Sequence, residues 1–441
     1  MDYLIAVEAV CRPLGAGRFA VESAFLEHLR LLRDKLGSRF SRMVLVAPVD
    51  GHSAGAPLAG HLAEVDEAEE GISLLPLHVA GRPPMRFWRD AVSFWPRVRQ
   101  AVREAAVVHG ALSSDLYRPA MALVNLAVVL EDTPALFVVD IDHRRDAWML
   151  WKSGLWSLRS FLVTRLLHDP FRHAQVKLAA RRGDLVLIKS PHMVADVGRG
   201  APNVRDFYDP VHASEHVLDA ERMAARARWL RRAEGPLELL YFGRLVPYKG
   251  VDRTLRALHQ ARAKAGEVVR LHILGEGEER ARLEGLVRRW GLEDAVTFEP
   301  SVPYGAPLFE RMDRADAMVA TPLSEDTPRA AFDAMARGLP ILAFGNRYYQ
   351  DLERDSGAVR TVPWPNVEAL ADAIVRLQRD REPLADMAEK GVAFARRHTQ
   401  DAWLDRRIAW TLELLDGAQP RSRRASAFEN NTAAKGMSST R

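Results

Sequence analysis

Apolar, β-branched runs alternate with amphipathic helical patterns along the whole chain. In the first half, YLIAVEAV (3–10), RMVLVAPV (42–49), AAVVHG (105–110), ALFVVDID (135–142) and DLVLIKS (184–190) read as buried parallel strands. Helical stretches such as 20–36 and 87–104 separate them. In the second half, LELLYFGR (237–244), RLHILG (270–275), AVTFEP (295–300), AMVATP (317–322), LPILAF (339–344) and AVRTVPW (358–364) repeat the pattern. Strands alternating with helices predict doubly wound sheets. There are too many strands for one compact sheet, so the expectation is α/β with two Rossmann-like domains. A break is expected within 205–235, where RDFYDPVHASEHV is irregular and a charged helix runs to Gly235-Pro236. The polar, small-residue tail 419–441 reads as disordered.

Length agrees with two domains, because 441 residues exceed what one core usually serves. Hydrophobic residues at 48% and charged residues at 27% are an ordinary globular balance, which sets aside fibrous and disordered classes. A single cysteine, Cys11, allows no internal disulfide and fits a reducing compartment. The N-terminus shows no basic region or cleavage pattern, and no apolar run reaches the roughly 18 residues of a membrane span. The expected location is therefore cytoplasmic.

The stretch SEDTPRAAFDAMARGLPILAF (324–344) carries the first chemistry. A strand ends near Thr321 and a helix follows. Thr327 is suited to cap it and Pro328 to begin it. Gly338 and Pro340 suit its end. A helix starting at the carboxyl end of a parallel strand lies where open α/β sheets bind ligands, and its free N–H groups favour an anion. Arg329 adds a cation. Glu325 is expected in the loop, free to accept hydrogen bonds from a polyol, with Asp333 in the second turn. Two carboxylates around an anion site suit a ligand with hydroxyls, a diphosphate and more hydroxyls. A sugar nucleotide is such a ligand. In LELLYFGRLVPYKGVDRTLRAL, Arg244 and Lys249 occupy a second strand end and can neutralise a diphosphate as it leaves.

At these residues the chain resembles the GT-B glycosyltransferases, in particular the retaining family four. Gly243-Arg244-Leu245 with Lys249-Gly250 matches that family's Gly-Arg-Leu-x-x-x-Lys-Gly segment. Glu325, Asp333 and AMARGLP (334–340) match its Glu-x7-Glu motif and following segment, with Asp in place of the second Glu and DTPR in place of Gly-Phe-Gly. The resemblance covers about 236–400. It implies two domains facing across a cleft: an acceptor-side domain over 1–210, a nucleotide-sugar domain over 220–398, and a helix at 400–416 crossing back to the first. It implies donor-diphosphate contacts from Arg244 and Lys249, with Thr327 and Arg329 at the helix start, a donor-sugar contact from Glu325, and a ribose contact from Asp333. The implied reaction is retaining transfer of a hexose from a nucleoside diphosphate sugar to a glycan or lipid-linked hydroxyl, as in cell-surface polysaccharide synthesis. The donor is a substrate, and neither cofactor nor metal is required. A nucleotide-sugar epimerase and a non-catalytic nucleotide-binding homologue are the alternatives.

Three signals remain in the first half. GAGRFA (15–20) formally matches the G-x-G-x-x-A dinucleotide fingerprint. However, CRPL intervenes after the strand, and Asp50 lies about 30 residues on rather than roughly 20. The family reading makes Gly15 and Gly17 part of a cleft loop. Asp140-x-Asp142 could hold a metal in another transferase class, a need that Arg244 and Lys249 already meet. His143, at the end of that strand, is a candidate beside the donor sugar, with His109 as the second choice. Finally, 82–104 and 144–182 hold five of the ten tryptophans among many arginines, a pattern that suits an anionic membrane surface on its inner face. No nucleic-acid-binding module is visible.

Overall fold

The computed structural model describes residues 1–51, 62–113, 115–189, 191–198, 200–232, 235–266 and 269–417. The tail expected to be disordered lies outside them.

The strands of the first half are β1 (Asp2–Ala6), β2 (Arg12–Gly15), β3 (Arg18–Glu22), β4 (Met43–Val49), β5 (Leu62–Asp66), β6 (Ile72–Val79), β7 (Ala105–Ala111), β8 (Ala135–Val139), β9 (Leu185–Ile188) and β10 (Val204–Asp206). Seven of them form a sheet in the order β10-β9-β8-β7-β1-β4-β6, and its pairings are parallel. The second half contributes β11 (Leu237–Phe242), β12 (Val269–Leu274), β13 (Val296–Glu299), β14 (Ala317–Ala320), β15 (Ile341–Phe344) and β16 (Val359–Val362). These form a second parallel sheet in the order β13-β12-β11-β14-β15-β16. Several strands, such as β4 and β14, are buried at every position, as expected of strands covered by helices on both faces.

Each sheet has its own cores. Phe207 packs in a first-half core, while Tyr208, the next residue, packs in a second-half core, so the chain passes between the two sheets here. The last helix, Gln400–Asp416, returns to the first half. Its Leu404 and Ile408 enter the core around β1 and β4, and Lys35 bonds Asp405 at 2.7 Å.

The small β2-β3-β5 sheet is antiparallel. It corrects the reading of GAGRFA. Gly15 and Gly17 sit with positive φ in the β2–β3 hairpin turn, exposed, and no helix starts there. Nor are they among the residues that line the cavity between the two halves. Asp50, the acid considered for a ribose, accepts a 2.6 Å bond from Arg12 Nε. The charged helix before Gly235 is also shorter than expected, covering Ala220–Leu230.

Candidate functional site

In each sheet the strand order reverses once, between β1 and β7 in the first and between β11 and β14 in the second. Loops at the carboxyl ends of strands diverge at such a point and leave a crevice. The two crevices face each other. Together they enclose a cavity of about 750 Å³, lined by Val7 and Ala9 after β1, by His109 and Gly110 in β7, and by second-half residues after β11 and β14.

On the second-half side the sequence motifs converge. Arg244, Lys249, Thr327 and Arg329 all line this cavity. The loop that carries Lys249 depends on Gly250. Its φ is +67°, and a Cβ there would lie 2.1 Å from the Thr321 carbonyl oxygen at the end of β14. Only glycine brings the two loops so close. Arg244 donates to the Tyr248 hydroxyl at 2.6 Å, and Lys249 forms an ion pair with Asp326.

The helix after β14 differs from expectation. It covers only Ala330–Ala336, starts after Arg329, and has no side-chain cap. Thr327 instead turns across the cleft, where its hydroxyl donates to the Asp140 carbonyl oxygen at 3.4 Å. A cap must fold back on its own helix, and Thr327 is committed elsewhere.

Glu325 is not free either. It is buried, its N–H donates to Asp146 Oδ1 at 3.1 Å, and its carboxylate accepts from the Arg347 N–H at 3.3 Å. Arg145 Nε lies 3.5 Å from the same carboxylate. Burial pushes the Glu325 carboxyl up to about 7, with Asp142 adding to the rise. Asp146 is likewise raised by burial, to about 6. Arg347 pairs with Asp142, and the Trp148 and Trp364 rings meet at 5.5 Å. The two halves are thus joined around Glu325 by a network that local patterns cannot show, since its partners lie about 180 to 200 residues apart.

Asp333 lies apart from the cavity. It is buried and accepts from the Tyr304 hydroxyl at 3.0 Å, and burial raises its carboxyl to about 7. It is not among the residues that line the cavity.

His143 does not end a strand. β8 stops at Val139, and His143 opens the helix His143–Lys152, which is capped by Asp142. Burial, then Arg172, lowers its pKa to about 4, so the ring is neutral at pH 7. It does not line the cavity; Asp140 and Ile141 do. The Asp-x-Asp pair is split: Asp140 bonds Lys189 at 2.8 Å, while Asp142 holds Arg347. His109 does line the cavity. It is partly buried, its buried Nδ1 has no hydrogen-bond partner among the described residues, and burial holds its pKa well below the ordinary value.

Sequence reasoning missed the deep first-half wall. Lys189 bonds Asp209 as well as Asp140, and Arg407, arriving on the last helix, meets His28 Nε2 at 3.2 Å. Burial, then Arg407, holds His28 neutral, with a pKa near 4.

Comparison with known proteins agrees with this geometry. Residues 226–393 match the family model described as glycosyl transferases group 1. The chain is 26% identical over 246 residues to a putative colanic acid biosynthesis glycosyltransferase, WcaL, of Salmonella typhimurium, covering 53% of this chain and 58% of that one. It is 28% identical over 291 residues to the D-inositol 3-phosphate glycosyltransferase of Nocardia farcinica, covering 58% and 64%. The matches thus span less than two thirds of either relative. Among solved structures, Anabaena HepE in complex with UDP superposes with a TM-score of 0.60 at 16% identity, over 94% of this chain and all of that one. These findings show the two-domain fold seen in that solved structure and a match to the group 1 glycosyltransferase model over residues 226–393.

Proposed function

Proceeding from a GT-B fold that carries a group 1 glycosyltransferase domain, we propose that this chain moves a hexose from a nucleoside diphosphate sugar to a hydroxyl of a glycan or glycolipid, with retention at the anomeric carbon. The observation that carries the reading is the convergence of Arg244, Lys249, Thr327 and Arg329 on one cavity between the two switch points. Three cations there suit a diphosphate. In the transfer they stabilise the negative charge that grows on the departing nucleoside diphosphate.

In this reading Glu325 receives the sugar hydroxyls. Its carboxylate, now held by the Arg347 N–H, exchanges that partner for the ligand. Asp333 reaches the ribose only when Tyr304 releases it. The donor phosphate oxygens guide the acceptor to the face from which they leave; Glu325, Asp146 and Asp142 are held in the network between the two halves rather than offered as nucleophiles.

Among the described residues no helix is long and apolar enough to cross a membrane. Peripheral contact with an anionic membrane belongs to the proposal. It is supported by Met85, Trp88 and Val92, which are exposed along one helix beside Arg86 and Arg89.

The test is a sugar-transfer assay with UDP-, GDP- and ADP-hexoses, comparing the wild type with Glu325→Ala. The expected result is transfer from one donor and its collapse in the variant. Near-normal turnover by Glu325→Ala would sink the assignment.

A further inference from the structure

A second cavity, of about 670 Å³, opens on the other side of the Glu325 network. Asp142, Arg145 and Arg347, which hold that network together, also form part of this cavity's wall. The remaining wall comes from the first half alone.

Its charge is unbalanced. Arg144, Arg145, Arg165, Lys177 and Arg347 line it against only Asp142 and Asp196. Arg347 is matched by Asp142, and Arg165 lies 3.7 Å from Asp169 outside the lining. Among the described residues Arg144 and Lys177 have no ion-pair partner. The Arg145 guanidinium lies over the Trp148 ring at 4.5 Å, and its Nε is 3.5 Å from the Glu325 carboxylate. His173 also lines the cavity. Burial, then Lys177 and Arg144, lowers its pKa and so disfavours a further positive charge there. A cavity lined by five cations and two acids, with two of the cations lacking an ion-pair partner among the described residues, suits an anion.

Beside this charge lies an aliphatic face. Phe161 and Arg165, one turn apart, point into the cavity. The same helical run leaves Leu158, Leu162 and Leu166 exposed at 54%, 43% and 67%. Leu155 and Leu167 widen the patch at 38% and 55%. So many clustered exposed leucines mark a contact surface.

From this juxtaposition we propose that the cavity is the acceptor site, and that the acceptor is a glycan joined through phosphate or diphosphate to an aliphatic chain. The phosphate sits among Arg144, Arg145 and Lys177. The chain lies along Leu158, Leu162 and Leu166. The sugar hydroxyl then lies at the wall formed by Arg145 and Arg347, which both contact Glu325. This deepens the transfer reading above and rests on it. The volume suffices for a sugar phosphate, and the excess charge selects phosphate over a neutral head group.

The test uses calorimetry with octyl phosphate, inorganic phosphate and the uncharged octyl glucoside as probes, and with UDP in the same samples. The expected order is octyl phosphate tightest, by at least tenfold over either control. The Arg144→Ala/Lys177→Ala variant is expected to lose at least tenfold in octyl phosphate affinity and to keep its UDP affinity. Leu162→Ser/Leu166→Ser is expected to bring octyl phosphate down to the level of inorganic phosphate. Octyl phosphate binding that is absent, or unchanged in the Arg144/Lys177 variant, overturns the proposal even where UDP binds. Equal affinity for inorganic and octyl phosphate overturns the lipid part. Binding only to phosphatidylglycerol vesicles, with no octyl phosphate competition, assigns the patch to a bilayer surface and overturns the pocket. Absence of UDP binding with octyl phosphate binding intact counts against the donor reading instead.

Discussion

The two cavities near Glu325 each mix paired and unpaired cations. In the cleft between the switch points, Lys249 is paired with Asp326 and Lys189 with Asp140 and Asp209, whereas Arg244, Arg329 and Arg407 have no ion-pair partner among the described residues. In the other cavity Arg347 is paired with Asp142, whereas Arg144 and Lys177 have no ion-pair partner among the described residues. A paired cation must release its carboxylate before it can take a ligand anion, and this lowers net affinity. An unpaired one is ready, but its repulsion is borne by the empty protein. A paired cation such as Lys249 suits a ligand that binds and leaves in each cycle, and an unpaired one such as Lys177 suits a ligand selected by charge.

The largest effect that could break this comparison is at Arg244 and Lys249. Removing either by alanine is expected to lower kcat for transfer by about 10²- to 10³-fold, as for the loss of one strong transition-state contact. An equal loss from Arg144→Ala in an assay with a neutral acceptor would erase the distinction between the two sites.

Next comes Asp326→Asn, which frees Lys249 from its built-in partner. UDP affinity measured by calorimetry should rise about fivefold, the equivalent of ~1 kcal/mol for a partly exposed pair. Weaker UDP binding would mean that Asp326 positions Lys249 rather than competing for it.

A smaller effect concerns Asp333, whose carboxyl burial raises from 3.8 to about 7. A raised acid binds its proton more tightly in the folded than in the unfolded chain. Its contribution to stability is therefore complete below about pH 4 and is lost as pH rises through 7. Asp333→Asn keeps a neutral side chain at all pH values. Its Tm should match the wild type near pH 4 and exceed it by a few degrees at pH 8. Parallel Tm profiles would contradict the buried, isolated carboxyl.

The smallest is Thr327→Ala. A helix cap at this position would be worth ~1 kcal/mol. The long bond to Asp140 observed instead predicts a change within about 0.5 kcal/mol in denaturant unfolding. A larger loss would restore the capping role.

Much of the second half was legible before its structure. The six apolar runs from LELLYFGR to AVRTVPW became β11 to β16, and Gly250 marked the place where two loops touch. The site there is made by short segments, each anchored at its own strand end, so local spacing already brings Arg244, Lys249 and Thr327 near one another. The first half was less legible. β6 and the β2-β3-β5 sheet escaped notice, partly because PLHV and RPLG break the apolar alternation with proline and charge. The glycines at 15 and 17 match a dinucleotide fingerprint, yet they serve a hairpin turn between β2 and β3, and β3 pairs with β5.

What the sequence determined alone is the order of strands and helices and the loops that must follow them, because burial on both faces demands continuous apolar runs and tight turns demand glycine. What only the tertiary structure decided is which charges meet. Asp146 reaches the Glu325 N–H, Arg347 reaches Asp142, and Arg407 reaches His28 from a distant helix. Such pairs carry no periodic signal. Each partner is an ordinary polar residue in its own segment, and only the packing of two sheets face to face removes the water that would otherwise keep them apart.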